Sequence, residues 1–261
     1  MYGSGFISIF NSFADWWHLY LEIARALDID PRTDYIATSI AYSMVRSTTP
    51  PLYTLERILM GRTAIIFGAG PSIEKHIDYI DRVSDDIEGI FISADGATKA
   101  LIERGLLPHI IVSDLDGDLD AIRYSLARGS KLVVHVHGDN INAFTSFIND
   151  VGRWYRDFIV TTQVEPIYPI INFGGFTDGD RALALALALR AGKVILAGMD
   201  FGNTIGRYSK PWLKRNTPAT PRKRVKLIFA YIITSRLSCL TTAPVYTLSD
   251  SVPECVARVW L

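Results

Sequence analysis

The sequence predicts an α/β protein: a mostly parallel, Rossmann-like sheet flanked by helices, with an N-terminal helical subdomain ahead of it. Three observations lead there. From Arg62 onward, short apolar runs recur between helix-length segments. Most of those runs are apolar throughout rather than alternating, which suits strands covered on both faces. Residues 1 to about 60, by contrast, read as helical throughout. The expected division is therefore 1–60 helical subdomain, 61–206 α/β core, and 207–261 a C-terminal helix and tail packed on that core.

Taken in order, the first helix is expected from Ser8 to Leu27 and the second over "PRTDYIATSIAYSMVR", with Pro31 near its start. Pro50 and Pro51 then break the pattern before "LYTLERIL". The expected strands are "TAIIF" (63–67), "GIFIS" (89–93), "HIIVS" (109–113), "KLVVHV" (131–136), "FIVTT" (158–162) and "KVILA" (193–197). "RALALALALRAG" alternates like a strand. Alanine and leucine are strong helix formers, however, and Gly192 is placed as a C-terminal cap, so a buried helix is expected. Beyond Gly206 a basic stretch, "PRKRVK", leads into a helix over "LIFAYIITSRL" and then a tail rich in Thr, Ser and Pro.

Composition limits the classes of function. The 261 residues are 49% hydrophobic and 21% charged, and Lys+Arg and Asp+Glu number 27 each. No global field draws in nucleic acid or an acidic membrane. "FISIFNSFADWWHLYLEI" is interrupted by Asn11, Asp15, His18 and Glu22 before the roughly 20 residues a bilayer span needs. It reads as an amphipathic helix on the body of a cytoplasmic protein. The apolar faces of the N-terminal helices would serve a homodimer contact. Cys239 and Cys255 show no metal-type spacing and are expected to be free thiols in a reducing cytosol.

The strand ends carry the chemistry. "TAIIF" is followed by "GAGPS", "GIFIS" by "ADGA", "HIIVS" by "DLDGD", "KLVVHV" by "HGDN" and "KVILA" by "GMDFG". In an open parallel sheet these ends lie along one edge, where ligands bind, so a shared site is expected. In "GAGPS", Gly68 and Gly70 permit a tight turn, Pro71 suits the first helical position, and Ser72 can donate to an anion. The segment is neither a full dinucleotide fingerprint nor a Walker P-loop. Asp95 and Gly96 follow the second strand.

"DLDGDLD" sets Asp114, Asp116, Asp118 and Asp120 at every second position, and such crowding needs a cation or bound protons. A calcium loop fails, because the twelfth position is Ser125. A D-x-D-G-T phosphatase motif with Asp114 as nucleophile fits loosely, since Asp118 stands in place of the threonine. A magnesium site fits well: Asp114 and Asp116 could hold hard cations against polyphosphate oxygens, with Asp139 as third ligand and Asn140 beside it. Asp118 and Asp120 suit a solvated acidic turn. His135 and His137 fit a hydrogen-bonded pair better than zinc. In "NFGGFTDGDRA", Gly174 and Gly175 make a turn and Thr177 can cap a helix. Asp178 and Asp180 either favour that helix's dipole or accept the N–H groups of a flat heterocycle stacked on Phe173 or Phe176.

These motifs, "FGAGPS", "SADGAT", "SDLDGD", "HVHGDN", "NFGGFTDGDRA" and "AGMDFG", occur in an order that closely resembles the archaeal MptE-like 6-hydroxymethyl-7,8-dihydropterin diphosphokinases, over roughly Ile65 to Lys210. The resemblance implies transfer of diphosphate from ATP to a hydroxymethyl pterin, with AMP released, in tetrahydromethanopterin or folate-type cofactor synthesis. It implies Mg2+ on Asp114 and Asp116, with Asp139 alongside, and Gly68, Gly70, Ser72 and Asp95 around phosphates or substrate. Two alternatives stand: a thiamine pyrophosphokinase, which "ADGA" and "SDLDG" resemble more loosely, and a glycosyltransferase acting on sugar nucleotides.

Overall fold

The computed structural model describes residues 5–83 and 88–259. Three helices come first: α1 (Phe13–Leu27), α2 (Pro31–Val45) and α3 (Leu52–Leu59). Strands and helices then alternate as β1 (Thr63–Phe67), α4 (Ile73–Arg82), β2 (Gly89–Ala94), α5 (Ala97–Ile102), β3 (Ile110–Ser113), α6 (Leu119–Leu126), β4 (Lys131–His135), α7 (Ile141–Val151), β5 (Phe158–Thr161), α8 (Asp178–Ala188) and β6 (Lys193–Ala197). The chain finishes with a short antiparallel pair, β7 (Thr204–Ile205) and β8 (Thr217–Pro218), the long α9 (Pro221–Leu240), β9 (Val245–Thr247) and β10 (Ala257–Arg258).

Eight strands form one sheet in the order β10-β9-β6-β1-β2-β3-β4-β5, every neighbouring pair parallel. Alternate residues of each strand face opposite layers. Ala64, Ile66, Ile92, Ile110 and Val112 share a core with Trp16 and Ile23 of α1, Leu55 and Leu59 of α3, α8, and Ile233 and Leu237 of α9. On the other face, Ile65 and Phe67 pack on α4 and α5, while Ile111, Leu132 and Val134 pack on α2, α6 and α7. Both faces are covered, which is why the strands read as unbroken apolar runs. The N-terminal helices thus bury their apolar residues against the sheet itself.

α1 begins at Phe13, later than the sequence suggests. Ser12 caps it, its hydroxyl accepting from the Asp15 N–H at 3.2 Å. The preceding "FISIF" instead lies outside the helix, with Phe6 bridging to Asn172 and Ile7 N–H donating to Asn172 O at 3.0 Å. A buried carboxylate, Asp34, fastens α2 to the end of the sheet. It accepts from the Tyr20 hydroxyl, from Gln163 Nε2 at 2.6 Å and from Gly138 N–H at 2.7 Å. The alternating leucines of α8 form a helix buried on all sides, lying on β1, β2 and β3 beneath α9.

Two expectations need correction. The C-terminal tail does more than pack on the core: β9 and β10 extend the parallel sheet beyond β6. They are too short for periodicity to reveal. Cys239 and Cys255 are not free but form a disulfide, with Cα atoms 5.2 Å apart. The fold brings the end of α9 against the loop before β10, which no spacing in the sequence announces. With both cysteines in a disulfide, no free thiol points to a reducing compartment. Among the described residues no helix is long and apolar enough to cross a membrane.

Candidate active site

The strand order reverses between β1 and β6, so a crevice opens at their C-terminal ends. The loops after these strands close on each other. Gly68 N–H donates to Ala197 O at 2.8 Å and Gly70 N–H to Gly198 O at 2.9 Å. A Cβ on Gly70 would lie 2.5 Å from Gly198 O, so these glycines serve close loop packing. Pro71 precedes α4 rather than opening it, because Ser72 is the residue before the first turn. The Ser72 N–H and hydroxyl both donate to the Asp200 carboxylate, at 2.8 and 2.7 Å. The anion seat expected at this helix start is filled by a side chain of the protein.

The crevice is part of a cleft of about 550 Å³ that Gly68, Gly70 and Asp200 help to line. Its floor is acidic. Carboxylate oxygens of Asp95, Asp114 and Asp116 all lie within 4.8 Å of one another. Two non-glycine residues with left-handed backbones shape this floor: Asp95 (φ 44) and Leu115 (φ 68). Such conformations are costly and persist only where surrounding contacts impose them. Asp95 is pinned by Ser113 Oγ, which donates to its Oδ1 at 2.6 Å, and by Gly117 N–H at 3.2 Å. Leu115 buries its side chain in the core between the two flanking aspartates.

The electrostatics follow from this crowding. Burial, with Asp178, Asp114 and Asp116 nearby, pushes the Asp95 carboxyl well above the usual range. Burial and then Asp114 push Asp178 up to about 8. Burial also acts to raise Asp114, but His137, whose Nε2 is 3.5 Å from Oδ2, with Arg181 and Lys210, outweighs it and holds the carboxyl far down. Burial and crowding thus disfavour charge on Asp95 and Asp178, while the neighbouring cations favour it on Asp114. Lys210 forms an ion pair with Asp116. Burial would lower its ammonium, yet Asp116, Asp114 and Asp95 raise it.

The other sequence-derived candidates fall in distinct places. Gly96 lines the cleft, packed so tightly that a Cβ would meet Tyr208 O at 1.8 Å. Thr177 and Asp178 also line it. Asp180 does not. Its carboxylate is used in a capping box, accepting from Thr177 N–H at 3.0 Å and from the Thr177 hydroxyl at 2.6 Å. Gly174 and Gly175 form the turn beneath α8 with φ of 85 and 90°, and a Cβ on Gly175 would strike the Arg181 backbone. Phe176 lines the cleft, whereas Phe173 is in the core.

Asn140 is buried and donates through Nδ2 to the backbone oxygens of Asp114 and His135, both at 2.7 Å. It positions the acidic loop. Asp139 is exposed and lies outside the carboxylate group; Asp95 takes the third place there. Asp118 caps α6 and pairs with Lys99 at 2.8 Å, and Asp120 pairs with Arg123 at the surface. His135 and His137 turn to different partners, Thr161 and Asp114, and neither joins the carboxylate group.

Several cleft residues escaped the sequence reading. Arg181 is buried, 3.3 Å from Asp178 and 3.0 Å from Gln163 Oε1. Lys210 arrives on the strap after β7. Arg222, Lys223 and Lys226 of α9 line the cleft as well, with Phe201, Trp212 and Leu213. The "PRKRVK" stretch was visible as a charge run; nothing in the sequence placed it in one cleft with the aspartates.

A doubly wound parallel α/β protein with clustered carboxylates beside its switch point is, by class, a protein that binds its ligand at the strand tips. Comparison with known proteins narrows the class. The family model described as "6-hydroxymethylpterin diphosphokinase MptE-like" matches residues 40–206. The chain is 38% identical over 215 residues to a 6-hydroxymethyl-7,8-dihydropterin pyrophosphokinase of Methanocaldococcus jannaschii, covering 81% of this chain and 89% of that protein. Proteins of the same name from Methanothermobacter thermautotrophicus (46% over 167 residues, 64% of this chain and 69% of that one) and Pyrococcus furiosus (40% over 176 residues, 67% and 71%) also match. This chain belongs to the MptE-like family of 6-hydroxymethylpterin diphosphokinases. Among solved structures, the MAf glycosyltransferase of Magnetospirillum magneticum superposes with a TM-score of 0.53 at 17% identity. That match covers 77% of this chain but 34% of the glycosyltransferase, and it speaks to the fold alone.

Proposed function

We propose that this chain transfers diphosphate from ATP to 6-hydroxymethyl-7,8-dihydropterin in a Mg2+-dependent reaction, giving AMP and the pterin diphosphate for tetrahydromethanopterin or folate-type cofactor synthesis. One observation carries the reading: three carboxylates, Asp95, Asp114 and Asp116, meet at the floor of a cleft in a chain of this family. Their all-oxygen donor set suits a hard cation. Asp114 Oδ1 is buried without a hydrogen-bond partner, a lone pair left for such an ion. When bound, Mg2+ would neutralise phosphate oxygens and hold them in line.

The rest is positioning. The hydroxymethyl oxygen bonds to the β-phosphorus as the bond from that phosphorus to the α–β bridging oxygen breaks, releasing AMP and a proton. Such transfers need alignment and charge stabilisation rather than a protein nucleophile. Asn140 and the Ser113–Asp95 bond fix the carboxylates before substrate arrives. Lys210, held beside Asp116, sets a positive charge next to the transferred group. Phe176 offers a ring face to a flat heterocycle, with Asp178 beside it. In this reading the 61–206 core supplies the carboxylates and the 207–261 region further residues of the same cleft.

The test is incubation with ATP, Mg2+ and the hydroxymethyl dihydropterin, followed by identification of the nucleotide product. AMP is the expected product. ADP would mean an ordinary kinase, and AMP formed with thiamine in place of the pterin would favour thiamine pyrophosphokinase. Turnover of a sugar nucleotide without ATP would move the assignment to a glycosyltransferase.

A further inference from the structure

The cleft has a charge asymmetry that the acidic floor does not explain. Arg222, Lys223 and Lys226 occupy the first two turns of α9 and line the same cleft as Asp95, Asp114 and Asp116. Spacings of three and four residues put Lys226 on the same helix face as the other two. Among the described residues none of the three has a carboxylate within ion-pair distance, whereas Lys210 of the same cleft is paired with Asp116. Arg222 donates to the Leu27 carbonyl, and the Lys226 ammonium lies 5.7 Å from the centre of the Phe176 ring. Cations near the start of a helix oppose its dipole, so this clustering costs stability. Burial and the nearby Lys223, Arg181 and Arg222 push the Lys226 ammonium down despite Asp114. Three cations without acidic partners, gathered at an unfavourable place on the lining of one cavity, form a seat for an anion of several charges.

Resting on the diphosphokinase reading, we propose that Arg222, Lys223 and Lys226 hold the phosphate chain of the nucleoside triphosphate against the acidic floor. Of the two substrates of that reaction only the nucleotide carries such charge, since the hydroxymethyl pterin has no phosphate. The chain of phosphates would then lie between a cation held by Asp95, Asp114 and Asp116 on one side and the α9 cations on the other. These residues lie beyond the 40–206 segment that defines the family match. The C-terminal helix therefore completes a nucleotide site that the core begins.

The experiment is calorimetric titration of the full chain with ATP in excess Mg2+ and, separately, with adenosine. It compares wild type, Lys223→Met, Lys226→Met and Lys226→Arg. Charge-assisted contacts to phosphate predict a Kd for Mg-ATP raised about tenfold or more by each methionine. The adenosine Kd should stay unchanged, and Lys226→Arg should keep most of the ATP affinity. An unchanged Mg-ATP Kd in both methionine variants would overturn the proposal. So would a parallel loss of adenosine binding, which would place the helix against the base, or a wild type that binds no Mg-ATP. Failure of wild type to form AMP would remove the diphosphokinase reading while leaving these titrations to stand by themselves.

Discussion

Asp116→Asn separates the chemistry of the acidic floor from its architecture. The substitution keeps the shape of the side chain and removes one negative charge. Asp116 is half exposed (49%), and its ion-pair partner is Lys210. Pairs of that exposure contribute about 0–1 kcal/mol, and removing a charge beside Asp95 and Asp114 relieves some repulsion. For a chain of this size the melting temperature should move by no more than about 3 °C. Activity should respond differently. A preorganised charge aimed at the reacting group is typically worth about 10²–10³ in rate, so AMP formation with ATP, Mg2+ and the pterin should fall by at least that much. Mn2+ binding, followed by its paramagnetic resonance signal, should weaken in parallel. Asp120→Asn is the matched control: Asp120 belongs to the same acidic run but is 96% exposed and pairs with Arg123, so its loss should leave AMP formation intact. AMP formation by Asp116→Asn within about threefold of wild type, less than one hydrogen bond's worth, would refute the argument.

Other predictions concern the frame around the site. Gly96→Ala would drive a Cβ into the Tyr208 carbonyl and should cost about 3 kcal/mol in urea unfolding; a loss below about 1 kcal/mol would mean the strap yields freely. Burial holds the His76 ring below its ordinary pKa, and its Nδ1 accepts the Gly198 N–H at 2.9 Å. The unfolded chain therefore takes up the proton first, so stability from the neutral ring is complete above about pH 6.5 and is lost as pH falls toward the folded pKa. The stability difference between wild type and His76→Gln should shrink from pH 7.5 to 5.5, by at most about 1.4 kcal/mol per unit below 6.5; a constant or growing difference would contradict this sign. Reducing Cys239–Cys255, separated by 16 residues, should lower unfolding stability by about 3 kcal/mol. Two alkylatable thiols in the unreduced protein, with a midpoint indifferent to reductant, would argue against the bond.

Local signals marked the core strands well because both sheet faces are covered. Runs such as "TAIIF" and "KVILA" carry their burial in composition alone. The helical reading of the alternating leucines in α8 agrees with the structure because propensity outweighs a misleading period, but the Gly192 cap does not hold: α8 ends at Ala188, and Arg190 takes the left-handed turn with φ 62°. β9 and β10 gave no signal, since two or three residues cannot show one. The acidic loop was legible as a cluster, but its geometry was not. Asp95 reaches Asp114 and Asp116 because β2 and β3 are neighbours and two residues adopt left-handed backbones. Asp139 follows the next strand yet is exposed and lies outside that group. Likewise Asp178 and Asp180 look equivalent in sequence, and only the capping box divides them, one to the helix and one to the cleft.

The sequence by itself determined the layered α/β class, the strand tips as the edge that collects Gly and Asp residues, and the run of aspartates from which two of the three clustered carboxylates come. Those properties are local, carried by apolar runs and by the Gly and Asp residues that end them. Tertiary structure alone decided which carboxylates meet, which are consumed by caps and loop contacts, that the two cysteines join, and that the basic start of α9 lines the same cleft as the aspartates. Each of these depends on bringing together segments far apart in the chain, and no pattern within a single segment encodes that distance.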